Sequence, residues 1–134
     1  MDQIFKLEIA TPQGKVFEGD VEELLAPATQ GEIGVLPGHT PLLTTIEPGP
    51  LAVRQGGKLT YYAVHGGFCE VDGKGAAVLA EAVEVAGEVD RARAEAALKR
   101  AQERLQKLSF SDVDYADTLA ALRRASARLS VIGK

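Results

Sequence analysis

The pattern of hydrophobic and polar positions changes its period near Gly87. Before this residue, short apolar runs alternate with polar positions, as in the segment Phe5–Ile9, and turn residues separate the runs. Alternation of this kind is typical of strands with one buried face. Every proline lies at or before Pro50, whereas the range 88–132 contains neither proline nor glycine. The pattern therefore predicts strands before Gly87 and uninterrupted helix after it.

The first part of the chain predicts many short strands joined by tight turns. Gly56-Gly57 separates one pair of apolar runs, and the range 72–75 separates another pair, so both are expected to form β-hairpins. We expect the strand that begins at Val21 to stop at Pro27. Many short strands at even spacing predict a β-sandwich or a flattened barrel.

The second part predicts two amphipathic helices. Apolar residues follow each other at alternating steps of four and three from Ala94 to Leu108, and nearly the same rhythm repeats from Tyr115 to Ile132. Between the two runs, Ser111 and Asp114 are spaced like a capping box for the second helix. The connection is short, which favours an antiparallel hairpin. Alanine dominates the apolar seam and buries little area, so we expect a hairpin that can open.

Length and charge narrow the class of protein. With 134 residues, 46% of them hydrophobic, the chain can bury one modest core and an appendage. A net charge of -4 argues against nucleic acid as a partner, and the single cysteine, Cys69, excludes an intrachain disulfide. No apolar stretch approaches the about 20 residues needed to cross a bilayer, so we expect no direct membrane insertion.

The sequence offers few residues for catalysis. His39 and His65 lie near no cysteine or carboxylate at metal-ligand spacing, and no phosphate-binding glycine loop is followed by Lys-Ser or Lys-Thr. We therefore predict no catalytic residue and no metal site, and we interpret both histidines as structural or interface residues. Cys69, inside an apolar strand, is interpreted as a small buried hydrophobe.

Arginines form the one group with chemical promise. Arg93 and Arg100 are seven residues apart on the first predicted helix, and Arg124 and Arg128 are four apart on the second, so each pair shares a helical face. In a hairpin the two pairs could converge, and guanidinium groups suit phosphates and carboxylates. The alternative from spacing alone is an ordinary solvated face, since Glu95 and Lys99 form a favourable intrahelical pair.

One long segment resembles a known family. The segment 31–43, which reads GEIGVLPGHTPLL, is similar to the hallmark of the epsilon subunit of the bacterial and chloroplast F-type ATP synthase. Gly66-Gly67-Phe68 and the segment 128–131 also look like that family. The resemblance implies a ten-stranded, mostly antiparallel β-sandwich over residues 1–86 and a C-terminal antiparallel two-helix hairpin over residues 87–134.

The resemblance also implies a role and partners. It implies a non-catalytic rotor subunit of the central stalk that couples proton transport to ATP synthesis, with the gamma subunit, the membrane ring of c subunits (c-ring) and the catalytic alpha/beta head as partners. Glu32 and His39 lie in the hallmark segment and are the candidates for contacts with the ring and gamma, although His39 could equally shape the turn. The implied location is the cytoplasmic face of the bacterial inner membrane, peripheral through the complex.

A second motif is similar to the ATP-binding motif of some bacterial epsilon subunits. That motif reads Ile or Leu, Asp, two free positions, Arg and Ala, and the segment 89–94 matches it with Val89 in the first place. By resemblance the carboxylates would take the adenine amino group or fix the arginines, while the guanidiniums would hold the phosphates. No cofactor is required, and ATP is a candidate regulatory ligand. The implied nucleotide-binding residues are Glu84, Val89, Asp90, Arg93, Ala94, Arg100, Arg124 and Arg128.

Three hypotheses follow for the tail. In the first, it alternates between a hairpin packed on the sandwich and an extended inhibitory state, in which Arg123, Arg124 and Arg128 face acidic surfaces of the catalytic head. In the second, the tail is a passive brace that binds no nucleotide. In the third, which sets the resemblance aside, the chain is an unrelated ligand-binding sandwich with a helical interaction arm. With no tryptophan and 5% aromatic residues, it lacks the stacking platforms that sugar recognition uses.

Overall fold

The computed structural model describes residues 3–134, so Met1 and Asp2, at the start of the predicted first domain, lie outside the described residues. A β-sheet region comes first and two helices follow, as the change of period near Gly87 predicts. The strands are β1 (Phe5–Thr11), β2 (Gly14–Val21), β3 (Glu23–Ala28), β4 (Gly31–Val35), β5 (Leu42–Ile46), β6 (Gly49–Gln55), β7 (Lys58–Val64), β8 (Gly67–Asp72), β9 (Gly75–Ala80) and β10 (Val83–Val85). A 3-10 turn at Ala86–Glu88 leads to helices α1 (Arg91–Gln106) and α2 (Tyr115–Val131).

The ten strands form a sheet that folds over on itself as a sandwich. One half has the order β10-β7-β6-β3, with β4 also paired to β3, and the other half has the order β5-β8-β9-β1-β2. A single residue pair, Ala28 with Ile46, joins the halves in the ladder. Strand β1 is parallel to β9, and the other strand pairs within residues 3–134 are antiparallel. The predicted fold class is confirmed.

The core lies between the two halves of the sheet. Alternation along β1 illustrates how it is built, because Leu7 and Ile9 are buried while Lys6, just before Leu7, is exposed. Burial raises the pKa of the Cys69 thiol to about 11, so this cysteine is a protonated, buried hydrophobe as predicted. The largest fully buried side chains of the sandwich are Leu7, Ile9, Val21, Leu24, Val35, Ile46, Leu51, Val53, Val64, Cys69 and Val78.

The expectation that Pro27 ends a strand is wrong. Strand β3 continues to Ala28, and Pro27 lies opposite Glu32 of β4 within the ladder. Proline lacks an N–H donor, but its carbonyl still accepts, and here it accepts the backbone N–H of Glu47 at 2.8 Å. The N–H and carbonyl of one residue point to the same side of an antiparallel strand, so the missing donor of Pro27 faces Glu47 and costs no hydrogen bond to β4.

The predicted capping box of the second helix is also wrong. Asp114 occupies the N-cap position of α2, but its backbone is already helical and its side chain caps no backbone N–H. Its carboxylate instead accepts a hydrogen bond from Arg104 of α1 at 3.0 Å. In the loop, Asp112 accepts the backbone N–H of Ser109 at 2.7 Å. The loop is therefore closed by its own side chains and tied to α1.

The helical hairpin, α1 with α2, docks on the sandwich through its second helix. Helix α2 packs against β6 and β7, and α1 packs on α2. The buried residues of α1 are Ala94 and Ala101, and those of α2 include Thr118 and Ala125. Small side chains let the helices approach closely but remove little apolar surface from water. The two helices therefore lie close together, but the alanines between them contribute little apolar burial.

Candidate functional site

A cleft of about 430 Å³ lies where the end of the sandwich meets both helices. Strand β10 and the 3-10 turn after it form one wall, the first turns of α1 form another, and the C-terminal half of α2 closes the third side. The lining residues are Glu84, Glu88, Asp90, Arg93, Ala94, Ala97, Arg100 and Arg128. Of the eight residues predicted to bind a nucleotide, the fold brings six into this cleft, and we call it the arginine cleft below.

The start of α1 positions the motif residues. Asp90 has extended backbone angles at the N-cap, and its carboxylate accepts the backbone N–H of Arg93 at 3.1 Å. This cap fixes the first helical turn, from which Arg93 enters the cleft, and Arg100 follows on the same face two turns later. Neither arginine forms an ion pair within residues 3–134. Two guanidiniums are thus available to an anionic ligand.

The third arginine of the cleft is already engaged. Arg128 of α2 donates from Nε to Oε1 of Glu84 at 2.6 Å, and the same oxygen lies 2.8 Å from Nε2 of His65. Burial tends to raise the pKa of Glu84, but the hydrogen bonds from Arg128 and His65 outweigh it and hold the pKa below its ordinary value. Glu84 is therefore a carboxylate at neutral pH and connects the sandwich to α2.

His65 is the residue of this site that sequence reasoning did not assign. It is 4% exposed at the turn between β7 and β8, and its Nδ1 is buried without a hydrogen-bond partner among the described residues. Because Nε2 faces a carboxylate, the neutral ring carries its proton on Nε2. Burial lowers the pKa of His65; the hydrogen bond to Glu84 opposes this shift, and the charge of Arg128 reinforces it. No spacing in the sequence connects positions 65 and 84.

The remaining predicted nucleotide-binding residues lie outside the cleft lining. Val89 is half-buried in the segment before α1, and Arg124 is an exposed residue of α2. The expected convergence of two arginine pairs is therefore only partial, because Arg93, Arg100 and Arg128 share the cleft and Arg124 does not. One helical turn separates Arg124 from Arg128, and of the two only Arg128 has a hydrogen bond to β10 among the described residues.

The predicted partner-binding residues are spread over separate surfaces. Glu32 is exposed on β4, and His39 lies in the turn after β4, where its Nδ1 is 2.7 Å from the carbonyl oxygen of Thr40. This contact gives His39 a part in shaping the turn. Arg123 of α2 lies 3.8 Å from the carboxylate of Glu47, at the connection between β5 and β6. A second charged contact thus links the helical hairpin to the sandwich.

An apolar surface lies on the half of the sheet that α2 does not cover. Leu43, Phe68 and Leu79, on β5, β8 and β9, are exposed by 67%, 56% and 52%. Phe68 lies directly opposite Leu79 in the ladder, so their side chains share one face of the sheet. Sequence reasoning missed this surface, although Phe68 and Leu79 are apolar residues at outward strand positions where alternation predicts polar ones.

Neither a metal-binding cluster nor a membrane-spanning helix is present within residues 3–134. Within residues 3–134, histidine, cysteine and carboxylate side chains form no group of three or more that could hold a metal ion. In the same part of the chain, neither helix has the length and apolar character that a membrane span requires.

Comparison with known families accounts for the whole described fold. The model for the ATP synthase, Delta/Epsilon chain, beta-sandwich domain matches residues 4–86, and the model for the ATP synthase, Delta/Epsilon chain, long alpha-helix domain matches residues 88–133. The chain belongs to the ATP synthase delta/epsilon family. The predicted resemblance is confirmed, and the hypothesis of an unrelated ligand-binding sandwich is excluded.

Individual relatives agree with the family models. The chain is 45% identical over 134 residues to ATP synthase epsilon chain 2 of Syntrophotalea carbinolica, which covers 100% of the chain and 97% of that relative. It is 53% identical over 106 residues to the ATP synthase epsilon chain of Pelotomaculum thermopropionicum, with 79% of each chain covered. A chain in the Euglena gracilis mitochondrial ATP synthase (OSCP/F1/c-ring) has the same fold, with a TM-score of 0.84 at 23% identity over 96% of this chain and 81% of that one.

Membership of the ATP synthase delta/epsilon family gives the chain its general role. It is a non-catalytic subunit of the central stalk of an F-type ATP synthase, and it belongs peripherally to a membrane-bound complex. The prediction that the chain is not itself an enzyme is confirmed by this membership. The arginine cleft is accordingly a candidate binding site and not an active site.

Proposed function

We propose that the sandwich connects the gamma subunit to the c-ring, so that proton flow turns the central stalk as one body at the cytoplasmic face of the bacterial membrane. The apolar surface of Leu43, Phe68 and Leu79 supports this assignment, because exposed apolar patches of neighbouring strands mark protein contacts. We assign that surface to gamma, and Glu32 and His39 in the hallmark segment to contacts with the ring and gamma. The solved relatives come from F1/c-ring and central stalk/c-ring assemblies.

The helical hairpin is, in this proposal, a regulatory arm that senses ATP. The observation that carries the proposal is the convergence of Arg93, Arg100 and Arg128 in one cleft with Asp90 and Glu84. Three guanidiniums and three carboxylates, the third from Glu88, line this cleft and match a ligand with an anionic phosphate end and an amino-bearing base. Each charged hydrogen bond contributes about 1.5–3 kcal/mol before ordering costs, which places the dissociation constant between millimolar and micromolar.

ATP binding and the release of α2 are linked through shared arginines. In the docked state, Arg128 contacts Glu84 and Arg123 lies near Glu47. In the extended state we propose that Arg123, Arg124 and Arg128 contact acidic surfaces of the catalytic head and block rotation in the hydrolysis direction. ATP in the arginine cleft would hold Arg128 in the docked state, so low ATP favours inhibition. A ligand shifts such a balance by its differential affinity for the two states.

A calorimetric titration of the isolated chain with ATP tests the nucleotide role. Reversing the charge of Arg93 (Arg93→Glu) is expected to weaken binding by at least about 100-fold, since an attraction to phosphate becomes a repulsion. The matched control is Arg91→Glu, on the same first turn of α1 but outside the cleft, where Arg91 lies 3.8 Å from Glu95. Equal affinity for both variants and the native chain would remove the nucleotide role and leave the passive brace.

Inhibition needs a separate experiment on the assembled enzyme. A complex carrying the chain truncated after Gly87 keeps the sandwich and lacks both helices. If the arm inhibits, ATP hydrolysis by this complex is faster than by the native complex, and the difference is largest at low ATP. Unchanged hydrolysis at every ATP concentration contradicts the inhibitory role, whatever the outcome of the titration.

A further inference from the structure

We propose that His65, Glu84 and Arg128 form a proton-sensitive latch, which holds α2 on the sandwich while His65 is neutral and releases it when His65 takes up a proton. The latch joins three separate elements: the turn between β7 and β8, strand β10, and the C-terminal half of α2. It lies beside the arginine cleft but needs no nucleotide. The inference is therefore independent of ATP binding.

One carboxylate oxygen carries the latch. Oε1 of Glu84 accepts from Nε of Arg128 at 2.6 Å and from Nε2 of His65 at 2.8 Å. The side chains of Glu84 and Arg128 are 33% and 32% exposed, whereas that of His65 is 3% exposed. His65 is thus the buried member of this group of three. Arg128 is a partly exposed member, and it moves away with α2 when the helix is released.

A second proton on His65 is unfavourable while α2 is docked. It would sit on Nδ1, which is buried and has no acceptor among the described residues, and an unpaired buried N–H is costly. Its positive charge would face the guanidiniums of Arg128 and Arg124 on α2, with only Glu84 of β10 as a counter-charge already shared with Arg128. The carboxylate of Glu81 lies near Gly66, the residue that follows His65. Glu81 is exposed, so solvent screens its charge from His65.

The sign of the pH dependence follows from these contacts. When α2 leaves, both arginine charges leave with it while Glu84 stays on β10, so the released state binds the proton more tightly than the docked state. The contribution of neutral His65 to docking is fully present above the ordinary histidine pKa of about 6.5, and the docking equilibrium weakens by up to about tenfold per pH unit as the pH falls below it. The lowered pKa of Glu84 acts in the same direction, but only near and below its ordinary value of 4.5.

Amide hydrogen exchange of the full chain without nucleotide tests the latch. Local opening of residues 115–131, corrected for intrinsic exchange, is expected to rise by up to about tenfold between about pH 7 and pH 5.5 in the native protein. In His65→Gln, which keeps a donor toward Glu84 but cannot be protonated, the opening is expected to be independent of pH over that range. The matched control His39→Gln removes the other histidine and is expected to keep the native dependence.

A second measurement decides the matter if His65→Gln does not fold. The imidazole resonances of His65 are titrated in the native chain and in Arg128→Gln, where the facing guanidinium is gone. The latch requires a higher His65 pKa in the variant than in the native chain. Equal pKa values, pH-independent opening in the native protein, or the same pH dependence in His65→Gln and native chains each overturn the proposal.

Discussion

The sandwich and the helical hairpin solve the same packing problem with different residues. The sandwich buries leucine, isoleucine and valine completely, as at Leu24 and Ile9, whereas the hairpin buries mainly alanine, as at Ala101 and Ala125. Burial is worth about 0.8 kcal/mol for each CH₂, so one buried leucine outweighs several alanine methyls. The comparison indicates that the sandwich is a rigid body. The hairpin is an arm whose docking free energy is small enough for ligands or protons to change it.

Charged contacts supplement the small apolar contact between the helical hairpin and the sandwich. Arg128 with Glu84, and Arg123 with Glu47, fasten α2 at two points to the sandwich. Partly exposed ion pairs contribute little each, because water screens them. Docking that depends on such contacts responds to protons, salt and anionic ligands, whereas an apolar core does not. Both the proposed ATP response and the latch rest on this difference.

The sharpest test of the comparison is a core truncation in each part. Leu24→Ala in β3 removes a side chain that is 0% exposed and is expected to cost about 2–5 kcal/mol of unfolding free energy. Leu122→Ala, on a half-buried position of α2, is expected to cost less than half as much. Urea unfolding followed by circular dichroism measures both. Equal losses would mean that the two parts are packed alike and would break the comparison.

A backbone substitution probes the rigidity of the sandwich. Gly67 has a φ of 132°, and a Cβ there would lie 2.1 Å from the carbonyl oxygen of Leu79. Gly67→Ala therefore needs a shift of β8 against β9 and is expected to cost about 1–3 kcal/mol. Gly73→Ala, in the open turn between the same strands, is the control and is expected to leave the melting temperature unchanged or slightly higher. Similar melting temperatures for both variants would show a sheet that yields easily.

Local patterns were sufficient to predict the elements of both parts. Period-two alternation identifies β1, and the rhythm from Ala94 to Leu108 identifies α1, because side-chain period follows backbone geometry. The motif at 89–94 places Asp90 and Arg93 correctly at the start of α1, since both belong to one helical turn. Where the residues that determine a local structure are close in sequence, the sequence is sufficient to predict that structure.

Contacts between distant segments were not predictable from the sequence. Pro27 continues a strand because its missing donor faces Glu47 and not β4, and Asp114 does not cap α2 because its carboxylate accepts from Arg104 of the other helix. The pairing of His65 with Glu84 requires β7 and β10 to be neighbours, which no short motif specifies. In each case, a contact with another segment of the chain decides the structure, and the local sequence does not reveal that contact.

Neutralising one carboxylate tests whether charge fastens the arm. Glu84→Gln keeps the shape of the side chain but removes its charge from Arg128 and His65, and we expect α2 to open more easily by about 1 kcal/mol, discounted for partial exposure. Amide hydrogen exchange over residues 115–131 measures the opening. Glu88→Gln, in the same cleft but without an ion pair within residues 3–134, is the control. The two variants should differ, and equal opening would remove Glu84 from the fastening of α2.

The smallest effect is expected at the far end of the arm. Asp114→Asn removes the negative charge from the 3.0 Å contact with Arg104. The side chains of Asp114 and Arg104 are 59% and 58% exposed, so the unfolding free energy should change by at most about 0.5 kcal/mol. This pair ties α1 to α2 and not to the sandwich, so exchange in α2 should keep its native pH dependence. If Asp114→Asn opened α2 as much as Glu84→Gln, docking would depend on the net charge of the arm rather than on where its charged contacts meet the sandwich.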